Sequence, residues 1–284
     1  MPKIAYVNGR FVPLADASVN VEDRGYQFSD GVYEVCLVIG GRYWDEAGHL
    51  ARLDRSLAAL SIARPMADGP LRSVMAELLR RNRLRDALVY MQVTRGVAPR
   101  NHPFPAKAVA PSLVMTAKRF DAGKSAALAR RGVAVITAPD IRWARVDIKS
   151  VSLLPNVLAK QKAAEAGAAE AWLIRDDFVT EGSSSNAWIV DESGAIVTHP
   201  LGERILGGIT RETVIRCAEA LQIRVIERAF TREEAARAKE AFLTSATNLV
   251  MPVISIDGAP VGDGKPGPTA ARLREAYIER CSAN

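Results

Sequence analysis

A lysine stands in Asp147-Ile148-Lys149-Ser150, after an extended run, and further along a glutamate stands in Thr180-Glu181-Gly182-Ser183-Ser184-Ser185-Asn186. A lysine amine can condense with a carbonyl, and a carboxylate beside a small-residue loop can keep a ring nitrogen protonated. Those are the two charges that a pyridoxal phosphate site needs: the lysine holds the cofactor aldehyde as a Schiff base, and the acid supports the pyridine ring as an electron sink. Each is unremarkable alone, because most lysines are solvated surface charges and most Gly/Ser stretches are turns. The rest of the chain must supply a phosphate cradle.

Leu206-Gly207-Gly208-Ile209-Thr210-Arg211 places two glycines directly before an expected helix. Glycine lets the backbone come close to an anion, and the first helical N–H groups and the helix dipole favour negative charge there. The plainer reading is that Thr210 only caps its helix. Ser245-Ala246-Thr247-Asn248 offers further hydroxyl and backbone donors, or an ordinary turn. Arg100-Asn101-His102, in the proline-flanked stretch from Pro99 to Pro105, could clamp a carboxylate, since an arginine fork matches two oxygens. Read without that context the pair is a solvated loop. Likewise Tyr33 would be a core aromatic and Arg52 a surface charge.

The elements that must position these groups are mixed. The start of the chain, from Met1, reads as a strand entering an Asn8-Gly9 hairpin with Arg10–Val12 returning. Val32–Ile39 reads as a buried strand ending at Gly40-Gly41, and Leu50, Leu53, Leu57 and Leu60 fall on one helical stripe with Arg52 off it. A second helix is expected from Leu71 to Leu84, then strands at Leu88–Thr94 and Ser112–Ala117 around the loop Gly96–Pro111. The polar Lys118–Lys124 stretch is the best linker. Beyond it come a strand at Val133–Ile136, a helix from Pro155 to Ala166 closed by Gly167, and strands at Ala171–Ile174, Ala187–Val190 and Ala195–Thr198. Helices at Thr210–Leu221 and Thr269–Arg280 and strands near Arg224–Ile226, Ala241–Thr244 and Val250–Ile256 complete the reading. The expected organisation is a smaller α/β domain at 1–118, a linker at 119–123, and a larger α/β domain at 124–284 carrying Lys149.

Composition narrows the function. Hydrophobic residues at 48% and charged residues at 25% of 284 describe a globular chain. No apolar run approaches the roughly 18 residues of a membrane span, and no signal-peptide stretch opens the sequence. The net charge of +6 is dispersed, with no basic stripe interleaved with aromatics, so nucleic acid is not an expected partner. Cys36, Cys217 and Cys281 are an odd set with no CxxC pair, which points to a reduced, cytoplasmic compartment. His49, His102 and His199 are too dispersed for a local metal motif.

Taken in order, Arg24 to Val35, Thr94-Arg95-Gly96, Arg100-Asn101-His102, Asp140-Ile141-Arg142-Trp143, Asp147 to Ser150, Thr180 to Asn186 and Gly208 to Arg211 resemble the fold type IV pyridoxal-phosphate enzymes, specifically the D-amino acid aminotransferases. The resemblance covers nearly the whole chain. It implies a two-domain fold with the cofactor between the domains, a homodimer, and ping-pong transfer from a D-amino acid (D-alanine, D-glutamate, D-aspartate) to 2-oxoglutarate or pyruvate. It makes Lys149 the Schiff-base lysine and proton carrier, Glu181 the acid at the pyridine nitrogen, and Arg52 the phosphate-binding arginine with Ile209 and Thr210. Leu206 and Ser184 match positions near the cofactor ring, and Ser245 and Ala246 positions near the phosphate. Tyr33, Arg100 and His102 match the trap for the substrate α-carboxylate. Ala246 departs from relatives that carry threonine there, which removes a hydroxyl but not the backbone N–H. Two alternatives share the scaffold, a branched-chain L-amino acid aminotransferase and an aminodeoxychorismate lyase. A third is a binding protein with a vestigial site.

Overall fold

The computed structural model describes residues 3–283. The chain divides into two compact units, one holding the residues up to Asp121 together with Ile148–Ser152, the other holding Ala122–Asp147 and the chain from Leu153 onward.

The first unit begins with the expected hairpin. Strand β1 (Ile4–Val7) turns at Asn8 (φ 44°) and Gly9 (φ 91°) into β2 (Arg10–Pro13). Met1 and Pro2 lie outside the described residues. A short helix α1 (Arg24–Phe28) follows, capped by the Asp23 side chain, and then β3 (Gly31–Ile39), β4 (Arg42–Tyr43), α2 (Glu46–Ala59), α3 (Asp68–Asn82), β5 (Ala87–Thr94) and β6 (Ser112–Arg119). The six strands form one antiparallel sheet in the order β2-β1-β6-β5-β3-β4. Helices α2 and α3 cover one face. Leu50, Leu53, Leu57, Leu71, Met75 and Leu78 pack there against Val32, Val38, Val89, Met91 and Met115, as the helical and alternating spacings require.

The second unit runs α4 (Ala122–Arg131), β7 (Val133–Pro139), α5 (Leu154–Glu165), β8 (Glu170–Arg175), β9 (Phe178–Gly182), β10 (Asn186–Val190), β11 (Ile196–Thr198) and α6 (Ile209–Ala220). It continues with β12 (Val225–Glu227), β13 (Phe230–Thr231), α7 (Arg232–Ala236), β14 (Glu240–Ser245), β15 (Leu249–Ile256), β16 (Ala259–Pro260) and α8 (Pro268–Ala283). Its sheet is mixed, in the order β12-β11-β10-β14-β15-β7-β8-β9-β13 with β16 on β15. The parallel pairs are β11–β12, β15–β7 and β7–β8. Asn284 lies outside the described residues.

Three local expectations change. Thr180, Glu181 and Gly182 belong to strand β9, and the Gly/Ser loop starts only at Ser183. The polar stretch expected as a linker is mostly structured, because β6 runs to Arg119 and α4 starts at Ala122. Lys149 does not sit directly on a strand end: β7 stops at Pro139, and Lys149 lies in an irregular segment that pairs with β3 through Val32 and Ser150. That pairing explains why Ile148–Ser152 groups with the first unit, whereas the sequence placed it in the second domain. Among the described residues no helix is long and apolar enough to cross a membrane.

Candidate active site

Alternation along β3 puts Val32, Glu34, Cys36 and Val38 on the face that meets α2, and Tyr33 on the other. A carboxylate inside a core needs a partner. Helix α2 provides it: Arg52 Nε donates to Glu34 Oε1 at 2.7 Å and Nη2 to Oε2 at 2.8 Å, and His49 Nδ1 lies 2.7 Å from Oε2. Arg52 is therefore 5% exposed and not the surface charge that its place off the leucine stripe implied. His49, Arg52 and Ser56 make a second, polar stripe at helical spacing beside Leu50, Leu53 and Leu57, and all six are buried. That polar stripe was the available signal. Burial would raise the Glu34 carboxyl, but the Arg52 charge and hydrogen bonds from Arg52 and His49 prevail and hold it at about 2.

Lys149 is held beside this stripe. Its backbone N–H donates to Ser56 Oγ at 3.3 Å, and its carbonyl accepts from Tyr33 N at 3.0 Å. Its Nζ lies 4.2 Å from the centre of the Tyr33 ring, which stacks on Tyr90 at 5.7 Å. Arg100 and His102 form a different group. Both are exposed and lean on Phe28, with the Arg100 guanidinium 5.0 Å and the His102 ring 5.4 Å from the Phe28 centroid. The structure thus brings Tyr33 together with Lys149 and Arg100 together with His102.

In the second unit, Glu181 sits on β9 with its carboxylate fully engaged. Oε1 accepts from Arg142 Nη1 at 2.5 Å, Oε2 accepts from Asn186 Nδ2 at 2.9 Å, and both oxygens lie 3.2 Å from the Leu206 backbone N. Arg142 is itself fixed by Asp140 through Nε and Nη2 at 2.9 and 2.8 Å. Burial lowers the Arg142 pKa, but the hydrogen bond to Asp140 and the charges of Glu181 and Asp140 hold it above the usual value. Arg142 and Asn186 fall inside the sequence motifs, yet nothing in those motifs gave them a role. Only the long-range contacts reveal that they orient Glu181.

Helix α6 starts beside this carboxylate. Its N-cap is Gly208, with no side-chain cap, so Thr210 is not the cap that the plainer reading made it. A Cβ on Gly208 would lie 2.1 Å from Asn186 Oδ1, so glycine alone lets the helix start this close to the amide that holds Glu181. Ile209 and Thr210 are buried in its first turn. Ser245 Oγ accepts from Asn248 N at 3.1 Å and lies 3.1 Å from Thr247 Oγ1, forming the turn that contains Ala246. Ser184 is exposed, and its Oγ donates to Glu170 at 2.7 Å. Ser183 and Ser185 also donate to Glu170, so this buried acid orders the whole serine loop.

Each unit holds groups suited to pyridoxal phosphate: the first a half-buried amine and a buried guanidinium, the second a helix start without a side-chain cap and a buried carboxylate backed by an arginine.

Residues 31–256 match the family model described as amino-transferase class IV. The D-alanine aminotransferase of Bacillus licheniformis is 45% identical over 95% of this chain and 94% of its own length. That of Staphylococcus haemolyticus is 41% identical over 98% and 99%. Among solved structures, the branched-chain aminotransferase of the thermophilic archaeon Thermoproteus uzoniensis, solved with norvaline, superposes with a TM-score of 0.85 at 28% identity, covering 98% of this chain and 94% of that one. A second branched-chain amino acid aminotransferase, solved with pyridoxamine 5′-phosphate, superposes with a TM-score of 0.89 at 29% identity, covering 100% and 95%. With a family match of this extent, the chain belongs to the class IV aminotransferases.

Proposed function

We infer that this chain is a pyridoxal 5′-phosphate-dependent transaminase that moves the amino group of a D-amino acid (D-alanine, D-glutamate or D-aspartate) to 2-oxoglutarate or pyruvate. The observation that carries this reading is the near full-length likeness to D-alanine aminotransferases at 41–45% identity. The branched-chain structures are 28% and 29% identical, so an L-specific reading comes second.

When bound, pyridoxal phosphate supplies an aldehyde that takes up the amino group and a protonated ring that draws electrons from the substrate α-carbon. Lys149 would hold the cofactor in the resting enzyme, and its Nζ would take the proton from the donor's α-carbon in the first half-reaction and deliver one to the acceptor's α-carbon in the second. Glu181, held by Arg142 and Asn186, favours a proton on the ring nitrogen. Arg52 and the uncapped start of α6 at Ile209 and Thr210 hold the phosphate, with Ser245 and the Ala246 backbone contributing donors. Leu206 and Ser184 line the ring side. Tyr33, Arg100 and His102 hold the α-carboxylate. With the substrate's amino nitrogen and carboxylate both held, only one enantiomer would point its α-hydrogen at Lys149, and for this trap that is the D-form. The first keto acid leaves before the acceptor enters, giving ping-pong kinetics.

The enzyme works as a cytoplasmic homodimer. Leu154, Val157 and Leu158, exposed at 70%, 58% and 48% on and beside one turn of α5, support a self-contact, and three buried cysteines with no disulfide support a reduced compartment. The reading is tested by the product. With D-alanine and 2-oxoglutarate the glutamate formed should be the D-enantiomer on a chiral column. L-glutamate as the main product would reject it.

A further inference from the structure

The loop carrying Arg100 and His102 is exposed, yet its backbone is held from beneath by buried charge. Asp30 sits between two arginines. Its Oδ2 accepts from Arg24 Nε at 2.8 Å and from Arg95 Nε at 2.7 Å, and its Oδ1 accepts from Arg95 Nη2 at 3.0 Å. Arg24 and Arg95 are 3% and 7% exposed, and a guanidinium cannot shed its charge, so each depends on this carboxylate. Burial would raise the Asp30 carboxyl, but hydrogen bonds from Arg95 and Arg24 hold it below the usual range.

Each arginine also reaches backbone carbonyls. Arg24 donates from Nη1 to Asn101 O at 2.6 Å and from Nη2 to His102 O at 3.2 Å. Arg95 donates to Leu60 O at 2.6 Å and Ser61 O at 2.9 Å, at the C-terminal end of α2, where the helix dipole welcomes a cation. The Arg95 guanidinium lies 3.6 Å over the Phe104 ring at the far side of the loop, and Arg24 lies 4.8 Å from Phe28, the ring that also seats Arg100 and His102. One carboxylate thereby ties the loop to the helix that bears Arg52.

We propose that Asp30, acting through Arg24 and Arg95, is a positioning hub that fixes the Arg100 and His102 loop relative to α2 and so sets the affinity for the α-carboxylate. This rests on the reading of Arg100 and His102 as carboxylate ligands. The three hub residues are not among those read as substrate ligands. They act through the backbone of the loop, and a displacement of about 1 Å at such a clamp is enough to cost up to about 10²-fold.

The test uses Arg24→Met and, as a milder change that keeps the charge but loses the fork, Arg24→Lys. In the cofactor-free protein, tryptic cleavage at the Arg100–Asn101 bond should accelerate by about tenfold or more in Arg24→Met, because cleavage follows the open population and two charge-assisted bonds are lost. In the loaded enzyme, KM for both D-alanine and 2-oxoglutarate should rise about tenfold, with kcat changed less than about threefold and the cofactor dissociation constant unchanged. Arg24→Lys should fall between wild type and Arg24→Met on both scales, which keeps the test intact if the methionine variant does not fold. Unchanged cleavage would overturn the clamp, and faster cleavage with unchanged KM would overturn its link to the carboxylate. Failure of the underlying functional reading appears in the wild-type enzyme, as absent D-amino acid turnover. Failure of the hub appears only in the variants.

Discussion

At the residue scale, the proposed chemistry rests on Lys149, Glu181 and Arg52. Borohydride reduction of the cofactor-loaded protein should leave the label on the peptide that contains Lys149, and Lys149→Ala should lower turnover by at least about 10²-fold. Label on a different lysine would remove Lys149 from its role. Glu181→Gln keeps the Asn186 and Leu206 contacts within reach but leaves Arg142 without that charge, so the half-reaction with D-alanine should slow while far-ultraviolet dichroism stays unchanged. Arg52→Ala does two things at once. On the proposed reading it takes a charge from the phosphate, worth about 1.5–3 kcal/mol, and it strands the buried Glu34, which typically costs about 3–5 kcal/mol of stability. Denaturant unfolding should therefore show that pairing Arg52→Met with Glu34→Gln restores part of the lost stability while cofactor affinity stays weak. A double variant as unstable as Arg52→Ala would mean that Glu34 is not the group left stranded.

At the element scale, the Glu34–Arg52 pair between β3 and α2 gives a pH signature. The folded Glu34 carboxyl, near 2, lies below its ordinary 4.5, so its contribution to stability is complete above about pH 4.5 and is lost as the pH falls toward 2. The melting temperature should fall along that limb, and Glu34→Gln should make the limb shallower. The loop after β5 gives a second check. Gly96 has φ 101°, and a Cβ there would lie 2.0 Å from Ala110 O, so Gly96→Ala should destabilise the fold by more than about 1 kcal/mol in denaturant titration. Elements with a clean period were legible in the sequence. The leucine stripe of α2, the β-branched apolar run of β3 and the Asn8-Gly9 turn each declare themselves within a few residues. Strand β9 was not, because Thr180, Glu181 and Gly182 carry loop-like composition, and the strand is set by long-range pairing of Phe178, Val179 and Gly182 with β8 and of Phe178 and Val179 with β13. Tyr33, Arg100, His102, Lys149, Glu181, Ser184, Ile209 and Thr210 are candidates that lie inside the ordered motifs, whereas Arg52 lies outside them. Their supporting partners, Glu34 for Arg52, Arg142 for Glu181 and Asp30 for Arg24 and Arg95, were hidden, since nothing local says which buried charges will meet.

At the scale of the whole molecule, each unit has its own sheet and core, and the short Ile148–Ser152 segment belongs to the first although the chain on both sides of it belongs to the second. No local pattern could announce that excursion, which depends on Tyr33 N bonding to Lys149 O and Val151 N to Gly31 O. A cofactor bound by the folded chain alone must stabilise it, by about 2.7 kcal/mol at a hundredfold excess over its dissociation constant. Loading with pyridoxal phosphate should therefore raise the melting temperature, and Lys149→Ala should reduce that rise. The central claim is the handedness of the donor. The direct measurement compares initial rates for D-alanine, L-alanine and L-leucine with 2-oxoglutarate as acceptor. D-alanine should turn over rapidly and either L-amino acid only slightly, and faster turnover of L-leucine than of D-alanine would contradict the assignment.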